Sequence, residues 1–238
     1  MRIPTIRGII DRRMLVNFVI DSEVAKRIVP APFTPKLING KAIAGICLIR
    51  LKEVRIKGFP AFLGFRSENG AHRIAVEWLK NDIIKEGVYI PRRDTSSRFN
   101  TLVGGRLFPG KHYYAKFDVS EQGNNYHIAF TSSDDTTISV DASVTDKFNP
   151  DSVFKNLKTA SDFFKTGALG YSPNNNKFDG LLLNTYKWEV HPLTVSKVVS
   201  SFFENRDIFP EGSVQFDNAL LMVNVEHEWT SVTEKSFV

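Results

Sequence analysis

The dipeptide Asn39-Gly40 lies between two apolar runs, and it constrains this chain more than any other short feature. Asn and Gly tolerate the left-handed backbone that a two-residue hairpin turn needs, and few other pairs do. The pair predicts two antiparallel strands, the second running through Ala42–Ile56. A strand that long needs hydrogen-bonding partners on both sides, because a long bare edge would recruit other chains.

The rest of the sequence supplies such partners. Residues Ile9–Ile20 read as a strand entering the core. Arg73–Leu79 alternates, with Ile74, Val76 and Trp78 on one face and Arg73, Ala75 and Glu77 on the other. His112–Val119, Tyr126–Thr131 and Thr137–Val144 read as a meander, turning at Glu121–Asn125 and Ser132–Asp135. Phe178–Val190, after the Asn174–Asn176 turn, and Ala219–His227 add two further strands. Helix signals are few. Asp21 caps a short helix that stops at Val29-Pro30-Ala31-Pro32. Asp94-Thr95-Ser96 leads a helix over Arg98–Leu107, closed by Gly104-Gly105 and Pro109-Gly110. Asn149-Pro150-Asp151 starts another, carrying Phe154, Leu157, Phe163 and Phe164. No repeat or linker divides the chain. The pattern predicts one α+β, strand-rich domain over residues 1–238, with the sheet partly closed to hide its edges.

Composition narrows the function classes. Nineteen Phe favour a bulky core or an apolar cavity. No apolar run approaches the roughly 20 residues of a membrane helix. Arg2, Arg7, Arg12 and Arg13 interrupt the apolar N-terminal stretch, so no signal-peptide core forms. A cytoplasmic protein without a membrane partner is expected. The one cysteine, Cys47, excludes an internal disulfide and reads as a buried structural thiol, since no adjacent base is evident. The net charge of +5 is scattered rather than blocked, which argues against a nucleic-acid face and leaves room for an anionic ligand such as a carboxylate. The five histidines show no two-ligand spacing, and no dinucleotide or phosphate-cradling glycine motif appears, so no metal or cofactor is expected.

Several stretches resemble a known family. Asp11-Arg12-Arg13 through Asp21, followed by Val29-Pro30-Ala31-Pro32-Phe33, resembles the start of the acetoacetate decarboxylase superfamily. Gly105-Arg106-Leu107-Phe108-Pro109-Gly110-Lys111-His112-Tyr113-Tyr114 resembles the active-site turn of those enzymes. Met222–Trp229 and the run from Gly180 to Pro192 look more like an uncharacterised branch, the YqjF-like proteins. The resemblance implies a closed, cone-like β-barrel with a central cavity and a few flanking helices. It also leaves assembly into homo-oligomers open.

The resemblance further implies a place for chemistry. In such decarboxylases one lysine condenses with a ketone, and a second lysine and a dry pocket lower its pKa. Counting from Gly105-Arg106, those two places hold Tyr113 and Tyr114 here; tyrosine cannot form an imine, so the pair are expected as ligand contacts, Tyr113 as a cavity hydroxyl or stacking wall, or else as plain core packing. Lys111, two residues earlier, is a surface lysine or a displaced amine. The family's first-strand arginine matches Arg12 or, with a shift of one, Arg13, either of which could grip a carboxylate bidentately. The family's acidic pocket residue falls near Arg73, with Glu77 on the same strand face. The two form a structural ion pair, an acid/base couple beside an anion anchor, or a solvent-facing pair. Glu68 is a further pocket candidate. The leading expectation is a small-molecule binding protein without Schiff-base chemistry. The alternatives are a lyase or hydrolase acting on a small keto acid through Lys111 or through Arg73 and Glu77, and an oligomeric partner with a vestigial cavity.

Overall fold

The structure is a computed structural model and describes residues 4–98, 101, 110–174 and 177–232. It is built on thirteen strands. In chain order they are β1 (Ile6–Asp21), β2 (Thr34–Pro35), β3 (Leu37–Ile38), β4 (Lys41–Ile56), β5 (Phe65–Lys80), β6 (Ile83–Thr95), β7 (His112–Gln122), β8 (Asn125–Ser132), β9 (Thr137–Val144), β10 (Leu169–Asn174), β11 (Lys177–Thr185), β12 (His191–Ser200) and β13 (Val214–Val232). Helix α1 (Ser22–Ile28) follows β1, and α2 (Leu157–Thr166) precedes β10. Among the described residues, no helix is long and apolar enough to cross a membrane.

The Asn39-Gly40 turn forms as its chemistry requires. Ile38 pairs with Lys41 across it, and φ is 49° at Asn39 and 78° at Gly40. Asp21 caps α1 by accepting from the Glu23 backbone N–H at 2.9 Å. The second helix departs from the sequence signal and starts only at Leu157, capped by Asn156 in a reciprocal capping box with Thr159. The reason lies in β13. Asp217 accepts from Ser152 Oγ and from the Val153 backbone, and Asn149 donates to the Asp217 carbonyl, so the segment after Asn149 is tied to the sheet before a helix can begin. Asp94 and Thr95 belong to β6 rather than to a helix start. Of the helix expected over Arg98–Leu107, only Arg98 and Thr101 are described, and both are helical. The expected Gly104-Gly105 closure and Gly105–Pro109 lie outside the described residues, as do Asn175 and Asn176 of the turn before β11. Strands β2, β6, β10 and β12 have no counterpart in the sequence-based reading.

The sheet closes on itself twice, giving a barrel-like body. The strand path β6-β7-β8-β9-β12-β13-β1-β4-β5 returns to β6 through the β5–β6 pairing. A smaller ring of seven, β6-β10-β11-β13-β1-β4-β5, closes through the parallel β10–β6 and antiparallel β11–β13 pairings. The long strands β1, β4, β5 and β13 are therefore shared, and each carries two apolar faces. Met14, Val16 and Phe18 of β1 join Ile46 and Leu48 of β4 and Ile74 and Val76 of β5 in one cluster. Leu15, Ile43, Ile49, Leu220 and Met222 point the other way into a second cluster with Phe154 and Phe164. A two-residue period places adjacent residues on opposite faces, so every second side chain serves a different core.

Candidate functional site

A cavity of about 120 Å³ lies inside the seven-strand ring. That is room for several waters or a small organic acid. Every strand of the ring contributes to its wall: Arg13 and Leu15 from β1, Cys47 and Ile49 from β4, Ala71, Arg73 and Ala75 from β5, Val88, Ile90 and Arg93 from β6, Gly170 from β10, Leu181 and Leu183 from β11, and Trp229 from β13. Phe163, Phe164 and Thr166 of α2 complete it. The lining holds four basic side chains and one acidic one.

The charges are unevenly matched. Lys36 and Glu86 pair with each other at 2.5 Å, and Lys36 Nζ sits 4.6 Å from the Phe163 ring centre. The hydrogen bond from Lys36 holds the Glu86 carboxyl below its ordinary pKa. Arg13, Arg73 and Arg93 have no carboxylate partner among the described residues. Arg13 Nε donates to Cys47 Sγ at 3.3 Å, and its guanidinium lies 5.9 Å from the Trp188 ring centre. Arg93 Nε donates to Ser172 Oγ at 2.9 Å. Arg73, only 6% exposed, donates to Asn17 Oδ1 at 2.6 Å and stands 5.0 Å over the Phe164 ring. Burial pulls both Arg73 and Arg93 down to about 10, a cost opposed only in part by the nearby Cys47 sulfur. Both guanidiniums remain charged at neutral pH. Arg13 Nη1 and Arg73 Nε are buried N–H groups with no acceptor among the described residues.

Backbone geometry holds Arg73 in place. Gly45 stands opposite both Asn17 and Arg73 across β4. A Cβ at Gly45 would lie 2.4 Å from the Val16 carbonyl oxygen and 3.2 Å from Asn17 Oδ1, so the bare glycine lets the Asn17 amide reach Arg73. Asn17 in turn donates to Asn218 Oδ1 at 2.8 Å, and Asn218 donates to the Asp217 carboxylate at 2.5 Å. This relay orients the arginine without placing an anion beside it.

The residues singled out from sequence fall into two groups. Arg13 and Arg73 line the cavity. Arg12 faces the opposite side of β1 and is 1% exposed; it pairs with Glu68 at 2.5 Å and also with Glu121. Arg50 joins the same cluster through Glu68 at 2.5 Å and Glu121 at 3.0 Å. Arg12 and Glu68 are thus brought together, but as part of an ion-pair network away from the cavity lining. Glu77 shares a strand face with Arg73 but pairs with Thr34 in the β2–β5 ladder and forms no ion pair with it. Lys111 is exposed, its Nζ 4.6 Å from the Tyr113 ring centre. Tyr113 carries the Arg92 guanidinium on its other contact at 4.3 Å, and Tyr114 lies 5.4 Å from Arg98. None of Lys111, Tyr113, Tyr114 or Glu77 is in the lining. Sequence reasoning missed Lys36, Glu86 and Arg93, and it passed over the cavity-facing placement of Cys47. For Cys47 the alternation along β4 was a usable signal, because it sets Cys47 on the Ile43 and Ile49 face.

The barrel-like sheet around this largely apolar cavity is similar in fold to solved acetoacetate decarboxylase-like structures. The acetoacetate decarboxylase from Legionella pneumophila subsp. pneumophila str. Philadelphia 1 superposes with a TM-score of 0.61 at 9% identity, over 97% of this chain and 88% of that one. An acetoacetate decarboxylase-like enzyme from Sphingomonas wittichii RW1 gives 0.59 at 9% identity, over 97% and 93%. The enduracididine biosynthesis enzyme MppR, complexed with pyruvate, gives 0.59 at 11% identity, over 98% and 90%. At such identities the likeness is one of fold. The chain belongs to DUF2071, an uncharacterized conserved protein family, whose model matches residues 10–220. No curated protein matches it significantly in sequence.

Proposed function

We propose that this protein binds a small carboxylic acid in the seven-strand cavity, with Arg13, Arg73 and Arg93 as the anion-binding groups, and that it does so without forming an imine. One observation carries the reading: three guanidiniums share one largely apolar cavity with no carboxylate partner among the described residues, two of them with idle N–H donors. A buried cation is retained without a counter-ion only at a cost, which a bound carboxylate would offset through charge-assisted hydrogen bonds. The pyruvate complex of MppR, a protein of the same fold, makes a short oxo acid the first ligand to try.

Thermal-shift and calorimetric titration with pyruvate, acetate and benzoate, each beside its neutral amide, tests this. Carboxylates are expected to stabilise the protein and their amides not. Equal behaviour of acid and amide would remove the proposal. An enzymatic reading has one observation in its favour, since Lys36 lines the cavity. Its ion pair with Glu86 works against imine formation, because the amine must be neutral to attack. Borohydride reduction in the presence of pyruvate should therefore leave Lys36 and Lys111 unmodified; an adduct on Lys36 would turn the reading toward a lyase.

A further inference from the structure

Cys47 occupies a position that neither a structural thiol nor the anion-binding reading explains. It stands in β4 between Leu15 of β1 and Ala71 of β5, and all three line the cavity. Leu15 and Ala71 offer the sulfur no hydrogen bond, and its described polar contact is the Arg13 Nε donor at 3.3 Å. The buried, acceptor-less N–H groups of Arg13 and Arg73 belong to the same cavity and call for an anion independently of the cysteine. A guanidinium in contact with a cysteine sulfur stabilises the negative charge that develops there as it attacks, which wholly apolar surroundings cannot do.

We propose that Cys47 is a nucleophilic anchor for carboxylate-bearing electrophiles: the arginines hold the carboxylate, and Sγ bonds to the electrophilic carbon beside it. This rests on the carboxylate-binding reading and adds a covalent step to it. The thiol proton leaves to solvent, and the sulfur lone pair forms the S–C bond. With a 2-oxo acid, the carbonyl π pair moves to oxygen, which takes up a proton and gives a reversible thiohemiketal with the carboxylate intact. With an α-halo acid, the carbon–halogen bond breaks and halide departs with its electron pair, leaving a permanent thioether.

The α-halo acid supplies the test. Cys47 is the chain's one cysteine, so labelling measured by intact mass reports on it alone. Folded wild-type protein should react with iodoacetate at least about tenfold faster than with neutral iodoacetamide, because a cationic cavity raises the local anion concentration. The preference should shrink with added salt and vanish in Arg73→Gln and in Arg93→Gln. Equal or faster reaction with iodoacetamide in the folded wild type, or labelling only after unfolding, overturns the anchor. Thermal shift of Cys47→Ser by pyruvate separates the two ideas. If carboxylates still stabilise this variant while iodoacetate shows no preference in wild type, the anchor falls and the carboxylate site stands. If neither effect is seen, both fall.

Discussion

Replacing Arg73 with methionine should leave stability within about 1 kcal/mol of wild type and abolish carboxylate binding. Arg73 is 6% exposed and has no anionic partner among the described residues, and burial brings its pKa well below the ordinary value, to about 10. Each pKa unit corresponds to about 1.4 kcal/mol, so the charged side chain destabilises the folded state by about 3 kcal/mol. The sign follows from linkage. The folded-state pKa of this base lies below its unfolded value, so the penalty is fully present below about pH 10 and is relieved only as pH rises through that value. Against this gain stand the charged hydrogen bond to the buried Asn17 amide oxygen and the contact with Phe164, together about 2–4 kcal/mol. Methionine fills a similar volume and adapts its shape. The net expectation is a change within about 1 kcal/mol at pH 7, read as a urea midpoint within about 0.5 M of wild type with an unchanged slope. In the same assay, saturating pyruvate should stabilise the wild type and leave the variant where it is. A variant less stable than wild type by 1 kcal/mol or more would show that Arg73 supports the fold rather than awaiting an anion.

Three histidines, His72 and His227 buried and His112 half-buried, make stability acid-sensitive. His72 and His112 are pushed down to about 3 and His227 to about 4, chiefly by burial, so each must be protonated on unfolding below about pH 6.5. The unfolding free energy should fall by about 1.4 kcal/mol per pH unit per histidine from about pH 6 toward pH 4, and His72→Phe should flatten that slope in urea titrations by one proton. Gly45→Ala would set a Cβ 2.4 Å from the Val16 carbonyl oxygen, so it should cost about 3 kcal/mol or more and lower the melting temperature sharply; an unchanged melting temperature would disprove the clash. Arg12→Ala should destabilise by about 3–5 kcal/mol, because it strands Glu68 and Glu121 beside Arg50, yet it should leave carboxylate affinity within about twofold in calorimetry.

Much of the fold was legible along the chain. The hairpin at Asn39-Gly40, the Asp21 cap and the alternation through Arg73–Leu79 are local matters, decided by turn chemistry and by the pleat. Strand β6 was not legible, since charged residues at both its ends mask its apolar middle. Nor was the start of α2, which Asp217, more than sixty residues away, delays.

Sequence by itself determined that strands dominate and left Arg12 and Arg13 as alternatives for one role, with tyrosine standing where the resemblance places the lysines. It could not say which face of a shared strand looks into a cavity and which into a filled core. That choice rests on the β10–β6 and β11–β13 closures, which join segments far apart in the chain. Those closures gathered Arg13, Arg73 and Arg93 around one space, while Arg12 meets Glu68 across β4 on the other face of the same strands. Alternation along a strand is local, but which of its two sides encloses a cavity depends on every strand that completes the ring.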